Sequence, residues 1–208
     1  MLKRSMLKQT ILISTIVASM TIYATARGNQ GTVRGGSYVA TTSTTTTTTP
    51  TTTSTLISTI PVSDLTDTQK EELTFMLEEE KLARDVYLYL YDLWGSRVFE
   101  NIANSEQQHV DSLKALVDKY GLELPSTIDT QGEFQNADLQ DLYDTLIEKG
   151  NLSLIDALEV GVTIEETDIS DLQNILAEGV PEDFEIVYQS LLDGSYKHLD
   201  AFNRQLGR

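Results

Sequence analysis

The sequence predicts an all-α protein whose folded part is a four-helix bundle, and three observations carry that prediction. Between residues 66 and 206 the apolar residues recur at steps of three and four, the period of an amphipathic helix. Gly95, Gly121, Gly150 and Gly179 interrupt the pattern where successive helices would stop. An ionisable residue then falls inside each of four apolar stripes: Glu80 in the first, Glu106 and His109 in the second, Glu165 in the third and His198 in the fourth. Two antiparallel helix pairs, joined by a crossover containing a short extra helix, accommodate these segments.

The bundle is expected over residues 64–208. Ahead of it, Met1–Ala26 reads as an export signal. Lys3, Arg4 and Lys8 form a positive head, an uncharged and mostly apolar run follows, and Ala24-Thr25-Ala26 matches a small-residue cleavage site. An uncleaved N-terminal membrane anchor is the alternative, and either reading places the domain outside the cytoplasm, secreted or at the cell surface. Residues 27–63 carry no apolar period. The Thr/Ser tract from Thr41 to Thr55 cannot bury enough apolar surface to offset the entropy of ordering it, and reads as a disordered stalk.

The first helix should open at Thr66, where Thr66 and Gln69 form a capping box, and run to Trp94. Its stripe is Leu73, Met76, Glu80, Ala83, Tyr87, Leu90 and Trp94, so Glu80 is inward while Glu78 and Glu79 are expected to face solvent. The second should run from Arg97 to Tyr120 with the stripe Phe99, Ile102, Glu106, His109, Leu113, Leu116, Tyr120. After a loop with Pro125 and Gly132, a short helix over Ala137–Lys149 makes the crossover. The third long helix, Ser153–Ala177, points Leu158, Gly161, Glu165, Asp168 and Leu172 inward. The fourth opens at Pro181, with Glu182 and Asp183 at the positive end of its dipole. Its stripe is Phe184, Val187, Leu191, Gly194, His198, Ala201 and Gln205, and Gly194 marks a kink or a close approach beside the site.

Charge and composition narrow the function. Residues 61–208 hold ten basic residues and all 32 acids, a net of −22, which repels nucleic acid and attracts cations. With no cysteine, the chain has no zinc ribbon, rubredoxin-type iron centre or cysteine nucleophile. Several carboxylates buried on facing stripes would repel one another, and divalent cations resolve that conflict. The competing reading is that some of these groups face solvent or pair with Lys81, Arg84 or Lys197.

Four stretches carry a resemblance. Glu80-Lys81-Leu82-Ala83-Arg84-Asp85-Val86-Tyr87 resembles the first-helix pattern of ferritins, and Glu106-Gln107-Gln108-His109 the Glu-x-x-His of ferritins and rubrerythrins. The stretch from Gly161 to Asp168 is similar to the third helix that supplies a bridging Glu, and that from Gly194 to Phe202 to the fourth. More narrowly, residues 65–206 resemble a prokaryotic ferritin-like family catalogued as a domain of unknown function. The resemblance implies a ferritin-like bundle around two iron ions, with manganese, or a single metal, as alternatives. Glu80, Glu106 and His109 would hold one ion, Glu165 would bridge, and His198 with Asp168 would help hold the second. Ser195 departs from the pattern, standing where the fourth helix should carry a Glu. Tyr87 is expected to donate a hydrogen bond behind the ligands, to be oxidisable, or simply to pack in the core.

The function these features imply is reaction with dioxygen or peroxide, of ferroxidase, peroxidase or oxidase type, or iron handling. An external electron donor would be needed, since the chain carries no electron-relay motif of its own. The alternatives are a non-catalytic metal-binding protein and a structural or adhesive helical module on a stalk.

Overall fold

A computed structural model describes residues 53–208, so the signal or anchor and most of the linker lie outside the described residues. Within them there are six helices and no strand: α1 Thr53–Thr59, α2 Asp67–Trp94, α3 Arg97–Lys119, α4 Ala137–Gly150, α5 Leu154–Glu178 and α6 Glu182–Leu206. No helix among the described residues is long and apolar enough to cross a membrane.

The ends of the long helices follow their local chemistry. Thr66 caps α2 with a complete capping box, its side chain accepting from the Gln69 amide while the Gln69 side chain accepts from the Thr66 amide. Gly95 ends α2 in the left-handed region at φ 64°, which frees the chain to turn directly into α3. Asn136 caps α4 and Ser153 caps α5 through side-chain oxygens.

The helices pack as two antiparallel hairpins, α2 with α3 and α5 with α6. The hairpins meet through α3 against α6 and α2 against α5, and α4 lies across α2 and α5. The apolar core divides into two clusters. One surrounds Tyr87, Phe99 and Phe202; the other holds Leu73, Leu113, Leu172 and Phe184. The ionisable groups of the four stripes lie in neither cluster.

The expected stripes are recovered on α2 and α3, where every member from Leu73 to Leu90 and from Phe99 to Leu116 is buried. Three expectations need correction. Glu78 and Glu79 are buried, not solvated, because α4 and its loop cover the back of α2, so that α2 has protein on three sides. On α6 Phe184, Val187, Leu191 and His198 are buried as expected, together with the flanking Tyr188, Ser195 and Phe202, but Gln205 is exposed. The structured part also begins before residue 64. Ile57 on α1 is buried, and the Lys119 ammonium donates to its carbonyl at 2.8 Å, which anchors α1 beside α3 and α6.

The crossover is clamped to α2 by a buried ionic cluster. Lys81 Nζ donates to Asp85 at 2.6 Å, to the carbonyls of Thr130 and Glu133 at 2.8 and 3.0 Å, and lies over the Phe134 ring. Asp85 also accepts from Arg84 and from the Gly132 amide. Glu78 accepts from the amides of Gln135 and Asn136. Lys81 is thus committed to Asp85 and the loop, and Arg84 to Asp85 and Gln107, and neither forms an ion pair with Glu80, Glu106 or Glu165 among the described residues.

Candidate metal centre

Midway along the bundle, the four long helices bring five of the expected residues together. His109 Nδ1 on α3 lies 3.1 Å from Glu80 Oε2 on α2 and 2.7 Å from Glu106 Oε2 on its own helix. His198 Nδ1 on α6 lies 2.8 Å from Glu106 Oε1 and 3.5 Å from Glu165 Oε2 on α5. The two imidazole rings stand 5.5 Å apart. All five side chains are buried. The atoms form two groups with the convergence a metal ion requires, Glu80–Glu106–His109 and Glu106–Glu165–His198. Glu106 is common to both, whereas the resemblance placed the bridge at Glu165.

Helical spacing explains the arrangement. Glu106 and His109 are three residues apart, so both point from one face of α3 towards α6. Gly194 then makes room for the imidazole: a Cβ there would lie 2.5 Å from His109 Nε2. Gly161 serves a similar purpose, since a Cβ would lie 2.6 Å from the Phe202 ring. Phe202 in turn packs on Tyr87, whose hydroxyl donates to Glu165 Oε1 at 2.6 Å. Tyr87 therefore both fills the core and fixes one carboxylate.

Asp168 belongs to neither convergent group. Ser195, at the position expected to carry a Glu, donates to Asp168 Oδ2 at 2.5 Å. The other Asp168 oxygen is buried with no hydrogen-bond partner. Glu166 is exposed and Glu159 half-buried, both off the inward face.

The electrostatics show what these side chains lack. Burial drives the Glu80 carboxyl up to about 7, with His109 opposing, and burial followed by the nearby Glu106 drives Glu165 up to about 8. Burial also pushes Glu106 upwards, but contacts with His109 and His198 outweigh it and hold the group well below the usual carboxylate range. The histidines respond oppositely. Burial disfavours their charge, yet Glu106 and Glu165 raise His198 to about 10, and Glu80 and Glu106 raise His109 well above its ordinary value. Burial and then Glu165 push the Tyr87 phenol up.

Several atoms nevertheless lack partners. Glu80 Oε1, Glu106 Oε1 and His198 Nδ1 are buried without a hydrogen bond. Glu106 Oε1 and His198 Nδ1 have each other at ion-pair distance, 2.8 Å. Buried carboxylate and imidazole atoms that converge in this way are a donor set that a divalent cation could occupy.

Sequence reasoning missed two acids that adjoin the centre. Glu79 and Asp171 are buried and interact at hydrogen-bonding range, and burial raises both, Asp171 to about 6. Their signal was faint, because Glu79 falls off the α2 stripe and the Asp171 it meets lies off the stripe of α5.

Fold and site together define a class: a helical bundle with a buried carboxylate–histidine cluster that could hold a metal ion. Comparison with known proteins narrows this. The chain belongs to the family described as "Uncharacterized protein domain (DUF2202)", which it matches over residues 69–208. It is 47% identical over 150 residues to the uncharacterized protein MJ0754 of Methanocaldococcus jannaschii, a match covering 72% of this chain and 81% of that one. The crystal structure of hypothetical protein MJ0754 from Methanococcus jannaschii is similar with a TM-score of 0.69 at 46% identity, covering 71% of this chain and 85% of that one.

Proposed function

We propose that this is a ferritin-like carboxylate protein in which Glu80, Glu106, His109, Glu165 and His198 hold two divalent metal ions, iron first and manganese as the alternative. The observation that carries the reading is the pair of convergent buried groups sharing Glu106, with lone pairs left unpartnered inside the bundle. Oxygen and imidazole donors suit these metals, and no thiolate competes. When bound, such a pair supplies the electrons and the positive charge for reaction with dioxygen or peroxide.

The chain's own residues divide the remaining work. Glu80 and His109 define one position, Glu165 and His198 the other, and Glu106 spans them. Tyr87 orients Glu165 through its hydroxyl, and Ser195 orients Asp168 beside the first position, not the second that the resemblance implied. A small cavity under α4 is walled by Leu142, Leu146 and Ala83 and by Glu80, Glu106 and Glu165. The lone pairs would be protonated or metal-bound, never both, so loading releases protons. Reducing equivalents come from an external donor. The positive head and apolar run of Met1–Ala26 support export or a membrane tether, with the Thr/Ser tract as spacer.

The test is dioxygen uptake by the full chain after anaerobic Fe(II) loading, repeated with peroxide. Uptake that tracks bound iron, and that His109→Ala and Glu106→Ala abolish, is the expected result. Tight binding with no reaction towards either oxidant would overturn the oxidoreductase reading and leave a metal-binding protein.

A further inference from the structure

The buried acids of the bundle continue past the metal centre. Glu79, next to Glu80 on α2, turns to α5 and meets Asp171, and Asp168 stands one helical turn before Asp171 on the same helix. All three are buried, with exposures of 7, 7 and 6% for Glu79, Asp171 and Asp168. Each keeps one buried oxygen without a hydrogen-bond partner: Glu79 Oε2, Asp171 Oδ1 and Asp168 Oδ1. Neither Glu79 nor Asp171 makes an ion pair with Lys, Arg or His among the described residues, because Lys81 and Arg84, the nearest cations along α2, are held by Asp85.

A cavity connects this line to the centre. Its wall includes Glu79, Asp168 and Thr167 together with Glu80, Glu106 and Glu165. Asp171 meets Glu79 and is not part of that wall. The line therefore runs from Asp171, through Glu79 and Asp168, to the first metal position.

From this arrangement we infer that Asp171, Glu79 and Asp168 form the route by which a divalent cation exchanges its water for carboxylate oxygens and reaches the Glu80–Glu106–His109 group. A hydrated cation cannot cross an apolar helix interface, and successive carboxylate oxygens replace its water stepwise. The geometry favours transit over storage. The three acids do not converge on one point as the two histidine-containing groups do, so they hold a cation loosely enough to pass it on. The inference rests on the reading that the centre takes divalent cations.

The experiment is stopped-flow loading of the full chain with Co(II), followed by its visible absorption, in the parent and in Glu79→Gln, Asp171→Asn and the double variant. The final spectrum and the number of Co(II) ions bound should match the parent, while loading slows by about tenfold or more, the scale on which a like-charged cleft changes an on-rate. Helical circular dichroism checks each fold, and Asp171→Asn, the outermost change, decides alone should the double variant fail to fold. Loading at the parent rate would overturn the route. Loss of a bound ion, with the remainder loading at the parent rate, would overturn it too, making these acids ligands. A parent chain that binds no Co(II) would fail differently, since it removes the metal centre before any variant is compared.

Discussion

Helix α2 carries two buried polar clusters side by side, and they are built on opposite principles. In the clamp, Lys81, Asp85 and Arg84 meet with opposite charges, and loop amides and carbonyls occupy much of what remains of their hydrogen-bonding capacity. In the centre, Glu80, Glu106 and Glu165 face two imidazoles, and three atoms are left unpartnered. A closed cluster of charges holds a fold together, because removing one member strands the others. A cluster with more carboxylates than cationic partners works against the fold until something else binds. The clamp therefore reads as architecture and the centre as a site.

The comparison can be broken first at the clamp. Lys81→Met leaves Asp85 short of its main counter-charge and two loop carbonyls without a donor, and should cost about 3–5 kcal/mol of folding stability, the usual scale for breaking a buried pair. Denaturant unfolding measures it. Glu165→Gln at the centre should behave oppositely. It removes a carboxyl that burial disfavours as an anion, so the cation-free chain should unfold at the same denaturant concentration or higher, while metal binding at the second position is lost.

A pH series sharpens the contrast. Glu80 and Glu165 have folded values of about 7 and 8, above the unfolded carboxylate value, and His198 lies at about 10, above unfolded histidine. All three raised groups contribute stability that is fully present at the low end of their range and lost as pH rises through their folded values. Chelator-treated protein should therefore melt at progressively lower temperature between about pH 5 and 9. Added Mn(II) competes with protons for the same atoms, so its stabilising increment should grow over that range. Differential scanning calorimetry with and without cation gives both trends. A cation increment that does not change with pH would argue against these ligands.

Smaller effects test the supports. Gly194→Ala forces a methyl against His109 and should lower Mn(II) affinity by about 10–100-fold, the scale seen when groups orienting a ligand are disturbed. Titration calorimetry reads this directly. Tyr87→Phe deletes only the hydroxyl that orients Glu165, so its effect should sit at the lower end of that scale, with a stability loss of about 1 kcal/mol.

Much of this was legible in the sequence, for physical reasons. The helix ends, the crossover helix and the inward positions of Glu80, Glu106, His109, Glu165 and His198 follow from a period of 3.6 and from capping chemistry. Periodicity failed on α2, where burial continues around the helix. Glu78, Glu79, Lys81 and Asp85 look like a solvated face until α4 and its loop cover them, and a covering element is a tertiary fact with no local signature. The i to i+4 spacing of Lys81 and Asp85 was the available hint that this face carries its own counter-charges. Ile57 was hidden differently, as an isolated apolar contact at the end of a polar tract.

The most direct test of the central claim is the number of Mn(II) or anaerobic Fe(II) ions bound by the full chain, counted by elemental analysis alongside proton release during titration. The account expects two ions per chain, with more than one proton released at pH 7 and both ions dependent on Glu106. A folded helical protein that binds neither metal and releases no protons would contradict it.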